Sequence, residues 1–189
     1  EFKGFLYVPS IVFINYNSDS RPPLLRAADL ARIDPNDSVE RVSGPNSTTG
    51  LEAGLGTITN AYLWCLAEHQ GKLYCGTWDG SSFLPIFVRF LPDIRSTVNT
   101  ARGAATSADT RPFWWTPNPA WWYQEMNNAG GRLYSSEDGL NWSLVFDGGL
   151  GNRENYGVRN LESVGDTLYI GLSNIWEGLE IWTWRGAEQ

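Results

Sequence analysis

The chain has 189 residues and a formal net charge of −7, from 14 Lys and Arg against 21 Asp and Glu. A net-negative surface repels phosphate backbones and gains nothing from counterion release, so the composition excludes nucleic-acid binding driven by charge. The longest apolar stretch, residues 5–14, is interrupted by Pro9 and Ser10 and is too short for a membrane span. The single Met is internal, which indicates a chain cut from a longer protein or renumbered.

An internal repeat is the strongest signal along the chain. The opening run G-F-L-Y-V at residues 4–8 returns as G-K-L-Y-C at residues 71–75, an offset of 67 residues. The run G-L-G-T-I-T-N at residues 54–60 returns as G-L-G-N-R-E-N at residues 149–155, an offset of 95 residues. Eight identities fall on this second ungapped diagonal, so the chain is built from copies of one unit.

Each copy predicts short antiparallel strands. In the middle copy, residues 132–136 and 142–146 are the predicted third and fourth strands. In the last copy, residues 158–164, 167–171 and 179–184 follow one another, with a hairpin turn at Gly165-Asp166. Inward-facing positions are expected to be buried at Leu66, Leu73, Leu161, Leu168, Ile170 and Ile181. Residues 24–33 are the best helical candidate, but Arg and Asp interrupt their apolar face.

Four antiparallel strands per repeated copy is the sequence form of a propeller blade. We therefore predict one all-β domain over residues 1–189, a β-propeller with about three blades in an incomplete ring. The first blade would lack its innermost strand and the last its outermost. Further blades would have to come from the parent chain or from a homo-oligomer, because open sheet edges recruit partners.

The middle copy carries one long aromatic-rich loop insertion, at about residues 92–130. The spacing between its second and third strands exceeds that of the last copy by 47 residues. An alternative makes residues 86–90 the third strand and adds a degenerate blade after it. Because propeller strands alternate in direction, the insertion and the loop at residues 149–156 are expected on the same face.

The heptapeptide S-E-D-G-L-N-W at residues 136–142 resembles the Asp box of sialidase-type propellers. The longer phrase over residues 149–182 is similar to the kelch-like or Asp-box (BNR-like) repeats of secreted microbial propellers. The resemblance implies structural turn roles for Ser136, Asp138, Gly139 and Trp142, and no catalytic role. The first copy departs from the box, because its turn is D-P-N-D at residues 34–37 with Val39 in place of Trp.

Two groups of residues are candidates for ligand binding. One is the aromatic cluster of the insertion, where flat rings suit sugar faces or protein docking: Trp114, Trp115, Trp121, Trp122 and Tyr123. The alternative is that these rings form a small core within the insertion itself. The other group is Asn155 and Arg159 with Glu154, which either line a polar central pocket or join neighbouring blades.

Cys65 and Cys75 flank a predicted hairpin turn at residues 69–71, which would place them opposite each other and favours a cross-strand disulfide over two free buried thiols. His69, the only histidine, is expected to be an exposed turn residue. No cofactor or metal motif is present, so we expect no cofactor, although Asp79 and Asp138 are candidates for a calcium site as well as for turn capping. Three sequons, at Asn36, Asn46 and Asn141, favour a secreted or cell-surface protein.

These features predict an extracellular, non-enzymatic binding or assembly module whose loop face contacts a glycan or a protein. One alternative is a fragment of a glycan-active enzyme, sialidase-like or lyase-like, for which Asp147, Glu154 and Tyr156 offer acid groups near one loop. Another is a structural subunit that polymerises through open sheet edges.

Overall fold

The computed structural model describes residues 1–11, 27–83 and 129–185, and their secondary structure is almost entirely antiparallel β. The ten strands are β1 (Leu6–Pro9), β2 (Leu30–Ile33), β3 (Val39–Ser43), β4 (Asn60–His69), β5 (Lys72–Asp79), β6 (Leu133–Ser136), β7 (Ser143–Phe146), β8 (Asn155–Val164), β9 (Thr167–Asn174) and β10 (Gly178–Trp184). The described helical segments are short 3₁₀ turns at Ala53–Gly56, Gly80–Phe83 and Gly148–Gly151. The predicted all-β class is confirmed, and β2 replaces the helical candidate.

The strands form a three-stranded sheet and a seven-stranded sheet, which divide into three consecutive antiparallel units. The first unit is β1-β2-β3, the middle unit is β4-β5-β6-β7, and the last unit is β8-β9-β10, each with neighbours in chain order. A single bridge, Ile11 with Tyr62, joins the first unit to the middle one, and Trp78 with Gly157 joins the middle unit to the last. β5 pairs directly with β6, which overlaps the predicted third strand at residues 132–136, and residues 86–90 of the alternative lie outside the described residues.

The repeat seen in the sequence extends to the backbone. Register shifts lie between Asn60 and Tyr62 and between Leu63 and Cys65 in β4, and β8 carries two shifts at the positions 95 residues further on. The two bridges between units join equivalent positions of the repeat, because Ile11 lies 67 residues before Trp78 and Tyr62 lies 95 residues before Gly157. Bulges increase strand twist locally, so their recurrence places the same local twist at equivalent points of β4 and β8.

A left-handed turn precedes the first strand of the middle and last units. Gly149 and Leu150 have φ of 60° and 59°, and Gly54 and Leu55 of the earlier copy have φ of 69° and 55°. Leucine rarely adopts this conformation, so other interactions must hold the turn. The Asn155 amide does so by donating to the Gly149 carbonyl at 3.0 Å, and Asn60 donates likewise to Gly54 at 2.8 Å.

Apolar side chains pack in two clusters, one at each junction between units. The cluster between the first and middle units includes Tyr7 and Leu30 from one side with Leu73 and Cys75 from the other. The cluster between the middle and last units is formed by Tyr74, Leu133, Val158, Leu161, Leu168, Ile170 and Leu172. In the described ranges, no helix combines the length and apolar character that crossing a membrane requires.

Three predictions about individual residues are wrong: the disulfide between Cys65 and Cys75, the exposure of His69 and the burial of Ile181. Cys65 and Cys75 are free thiols, because the hairpin turn is the two-residue Gln70-Gly71, which aligns Cys65 with Gly76 rather than with Cys75. A one-residue change of register sends neighbouring side chains to opposite faces of the sheet. Cys75 accordingly packs at the first junction and Cys65 at the second.

His69 is buried rather than exposed, because the neighbouring hairpin covers it. Its Nδ1 lies 2.8 Å from the Ser163 hydroxyl, near the tip of β8. Ile181 is exposed rather than buried. The other positions expected to face inward are buried, except Leu66, which is partly buried against the first cluster.

Candidate functional site

The root of the long insertion is fixed by one buried carboxylate. Asp79, at the end of β5, accepts hydrogen bonds from the backbone N–H and hydroxyl of Ser81, at 3.0 and 2.7 Å, where the chain leaves the sheet. It also accepts from the Gly130 backbone N–H at 2.8 Å, where the chain returns. The chain is thus attached to one fully buried side chain at Ser81, before the insertion, and at Gly130, at its end, and we call this arrangement the Asp79 clasp.

The clasp continues into a buried polar network through Arg132. The Arg132 guanidinium lies 3.7 Å from the Asp79 carboxylate and donates to the side-chain amide oxygen of Asn60 at 3.1 Å. Asn60 in turn donates to the Tyr134 hydroxyl at 3.1 Å. Buried ionic groups are tolerated when they are paired and hydrogen-bonded, so the network makes the insertion root rigid.

A polar cleft lies directly beside this root. Its volume is about 540 Å³, and its lining combines the return point of the insertion with the loop between β7 and β8: Ala129, Asp147, Gly148, Gly151, Asn152, Arg153 and Glu154. The described end of the insertion and the 149–156 loop therefore share one face, which we call the loop face. Two carboxylates and one guanidinium line the cleft, and Arg153 lies 3.9 Å from Glu154.

Asn152 connects this cleft to the last unit. Its side-chain amide donates to Glu177 at 2.8 Å and to Glu180 at 3.0 Å, and its side-chain oxygen accepts from the Glu154 backbone N–H at 3.1 Å. Hydrogen bonds from Trp182, Asn155 and Asn152 lower the pKa of Glu180. The Asn152 side chain and the Glu154 backbone are thus held in place before any ligand arrives, which limits the entropy that they lose on binding.

The two sequence candidates near this loop separate in the structure. Asn155 is fully buried below the cleft, where its side-chain oxygen accepts from Asn174 at 3.1 Å. Arg159 points away from the cleft and lies over the Trp64 ring, 5.0 Å from its centroid. Trp64 belongs to the middle unit, so Arg159 makes a contact between units. Glu154 does line the cleft.

The turn between β6 and β7 is held by hydrogen bonds from backbone N–H groups to side-chain oxygens. Asp138 accepts from the backbone N–H groups of Leu140 and Asn141 at 2.8 and 2.7 Å, and the Ser136 hydroxyl accepts from the Gly139 N–H at 2.7 Å. These bonds lower the pKa of Asp138 well below its usual range. Gly139 has φ of 75°, and a Cβ there would overlap the Tyr7 ring, so this turn also packs on the first unit.

The aromatic cluster proposed for binding lies outside the described residues: Trp114, Trp115, Trp121, Trp122 and Tyr123. Among the residues that the structure describes, no group of three or more His, Cys, Asp or Glu side chains is arranged to hold a metal ion. Asp79 and Asp138, the calcium candidates, are both engaged with backbone N–H groups.

Sequence reasoning missed the residues that organise this cleft. Asn152 carries no motif, and its role depends on Glu177 and Glu180 from the last unit. The repeat did mark this loop, because the same G-L-G run stands at residues 54–56 and at residues 149–151. Comparison of the chain with protein-family models, with curated protein sequences and with solved structures gave no match.

Proposed function

We propose that this chain is part of an extracellular β-propeller, with its three units as successive blades, and that its loop-face cleft binds a glycan without catalysing a reaction. The observation that carries the proposal is the rigid polar cleft between the insertion root and the loop before β8. Ligand sites commonly lie on loops positioned over a rigid scaffold. The recurrence of the same bulges in β4 and β8 supports equivalent blades.

The chemistry of the lining suits sugar hydroxyls. The carboxylates of Asp147 and Glu154 accept hydrogen bonds, and the Arg153 guanidinium donates them. Vicinal hydroxyls present donors and acceptors side by side, so they match planar groups that bond in pairs. Ala129, which lines the cleft, lies next to Gly130, whose backbone N–H is held by the Asp79 clasp. The net charge of −7 disfavours nucleic acid as the ligand.

The test is a screen of the purified chain on an array of neutral and acidic oligosaccharides, followed by titration calorimetry with the best binder. Asp147→Asn is expected to reduce the affinity at least tenfold. The matched control is Asp166→Asn, which makes the same chemical change in the hairpin turn after β8, away from the cleft, and should leave affinity unchanged. Absence of any glycan binding, or equal effects of the two variants, would refute the proposal and favour a protein ligand.

A glycan-active enzyme is the second candidate, because Asp147 and Glu154 line the same cleft. Hydrolysis of glycosidic bonds requires two carboxyl groups flanking the bond. Tyr156, the third candidate group, is directed towards Trp64, with the ring centroids 6.1 Å apart. Release of nitrophenol from a panel of aryl glycosides, abolished by Glu154→Gln, would support the enzyme over the binding module.

A further inference from the structure

The first and last units each expose one apolar face that is covered in the middle unit. One repeat position is occupied by Tyr7 in the first unit, by Tyr74 in the middle unit and by Tyr169 in the last unit. The first two tyrosines are each 7% exposed, whereas Tyr169 is 42% exposed. We call the side of each unit that carries this tyrosine its forward face.

A second position on the forward face behaves in the same way. Leu30, Leu133 and Ile181 occupy it, as the registers of β1 with β2, β5 with β6 and β9 with β10 show. Leu30 and Leu133 are buried, at 0% and 1%, whereas Ile181 is 64% exposed. The forward face of the last unit therefore carries the same types of residue as the two packed junctions. Among the described residues, no neighbouring unit packs on it.

The opposite side of each unit shows the reverse pattern. Successive strand residues point to opposite faces, so Leu6 and Val8 lie on the side opposite Tyr7, which we call the backward face. They are 55% and 43% exposed. The equivalent residues of the middle and last units are buried at the two junctions: Leu73, Cys75, Leu168 and Ile170.

The two exposed faces are thus the two halves of one junction that the molecule already forms twice. Tyr7 and Leu30 pack with Leu73 and Cys75 at the first junction. Tyr74 and Leu133 pack with Leu168 and Ile170 at the second. A third junction of the same kind would join Tyr169 and Ile181 to Leu6 and Val8, which do not meet within one chain because both sides are exposed.

We propose that a second copy of this chain supplies the missing half, with its backward face at Leu6 and Val8 docked on the forward face at Tyr169 and Ile181 of the first copy. The contact is head-to-tail, so each copy keeps one further free face, and repetition gives a ring or a filament. This inference deepens the partner expectation of the propeller proposal, because stacked units are what it assumes, and it is independent of the cleft's ligand.

Two single-face variants test it. Leu6→Glu blocks the backward face and Ile181→Glu the forward face, and the matched control Ile58→Glu changes an equally apolar, exposed residue before β4. By light scattering after size exclusion, the wild type and Ile58→Glu should exceed the monomer mass with rising concentration. Each face variant alone should stay at the monomer mass. Mixed in equal amounts, the two should form a dimer, since each retains the face that the other lacks.

A monomeric wild type, face variants that assemble as the wild type does, or a mixture that stays monomeric would each overturn the inference. Dimer formation in the mixture also shows that both variants are folded, so a loss of assembly is not mistaken for misfolding. Glycan binding measured on monomeric Ile181→Glu separates the two proposals. If the wild type binds glycan but never self-associates, only the head-to-tail contact is refuted. If it assembles but binds no glycan, only the glycan-binding proposal is refuted.

Discussion

At the residue scale, Asp138 shows how one carboxylate holds a turn. It accepts two backbone N–H groups and the Asn141 side-chain amide, which lowers its pKa. A group whose pKa is depressed by folding stabilises the fold above its unfolded pKa of about 3.9, and that stabilisation is lost as the pH falls. We expect Asp138→Ala to cost about 1 kcal/mol at pH 7, the scale of a lost cap.

The pH dependence identifies the cause of that loss. In urea unfolding, the difference between the wild type and Asp138→Ala should shrink as the pH falls below about 4, because protonation removes the same charged acceptor from the wild type. A difference that stays constant down to pH 2 would mean that the carboxylate charge does not hold the turn. Glu137→Ala, next to it and largely exposed, is the matched control and should have little effect beyond its pair with Lys72.

The two thiols give a second prediction at this scale. Burial raises the pKa of the Cys65 thiol to about 12 and raises that of Cys75 well above its usual range. Because the thiolate is the reactive form, neither cysteine should react with a disulfide reagent at pH 8 in the folded chain. Both should react at once in urea. If neither cysteine reacted in an unfolded sample that had not been reduced, the two would instead form a disulfide.

At the element scale, the left-handed turn before β8 depends on a glycine with no room for a side chain. A Cβ on Gly149 would lie 2.8 Å from the Asn155 Cβ, and the residue has φ of 60°. Gly151 also has positive φ, of 88°, but a Cβ there would meet nothing within 4 Å. We expect Gly149→Ala to destabilise the chain by about 2 kcal/mol more than Gly151→Ala, the scale of overpacking.

This difference can be measured by urea unfolding of both variants. The Gly151→Ala control isolates the steric contact, because both substitutions place Ala at positive φ and share that backbone cost. Equal destabilisation would show that the close approach of Asn155 to the turn contributes nothing.

The Asp79 clasp supplies another prediction for the elements. Asp79→Asn removes the carboxylate charge that lies 3.7 Å from the buried Arg132 guanidinium, and breaking a buried pair costs about 3–5 kcal/mol. Asparagine occupies the equivalent position 95 residues later, at Asn174, so the shape of the side chain is compatible with the fold. Thermal unfolding should show the loss, and Asp166→Asn in an exposed turn should not.

At the scale of the whole molecule, sequence reasoning succeeded where the information is local or repeated. The offset of 95 residues predicted the strands of the last unit, because the same side chains recur at the same strand positions. It failed for Cys65 and Cys75, because a three-residue turn was assumed where a two-residue turn forms, and register depends on turn length.

Contacts between units are the other source of error. His69 is buried by Ser163 from the next hairpin, and Ile181 is exposed because nothing in the described chain covers the forward face of the last unit. A strand pattern shows that a residue is apolar, but not whether a neighbouring unit packs on it. For the cleft, the sequence did not predict the role of Asn152, because its position depends on residues 25 and 28 positions away.

Two apolar junctions join the three units, and the forward face of the last unit is exposed. Nitration of tyrosines in dilute chain, followed by mass spectrometry, tests this arrangement at one repeat position. Tyr169 should be modified rapidly, while Tyr7 and Tyr74 should stay protected until the chain unfolds, because junctions between units cover them. Equal modification rates at Tyr74 and Tyr169 in the folded chain would contradict the stacked arrangement.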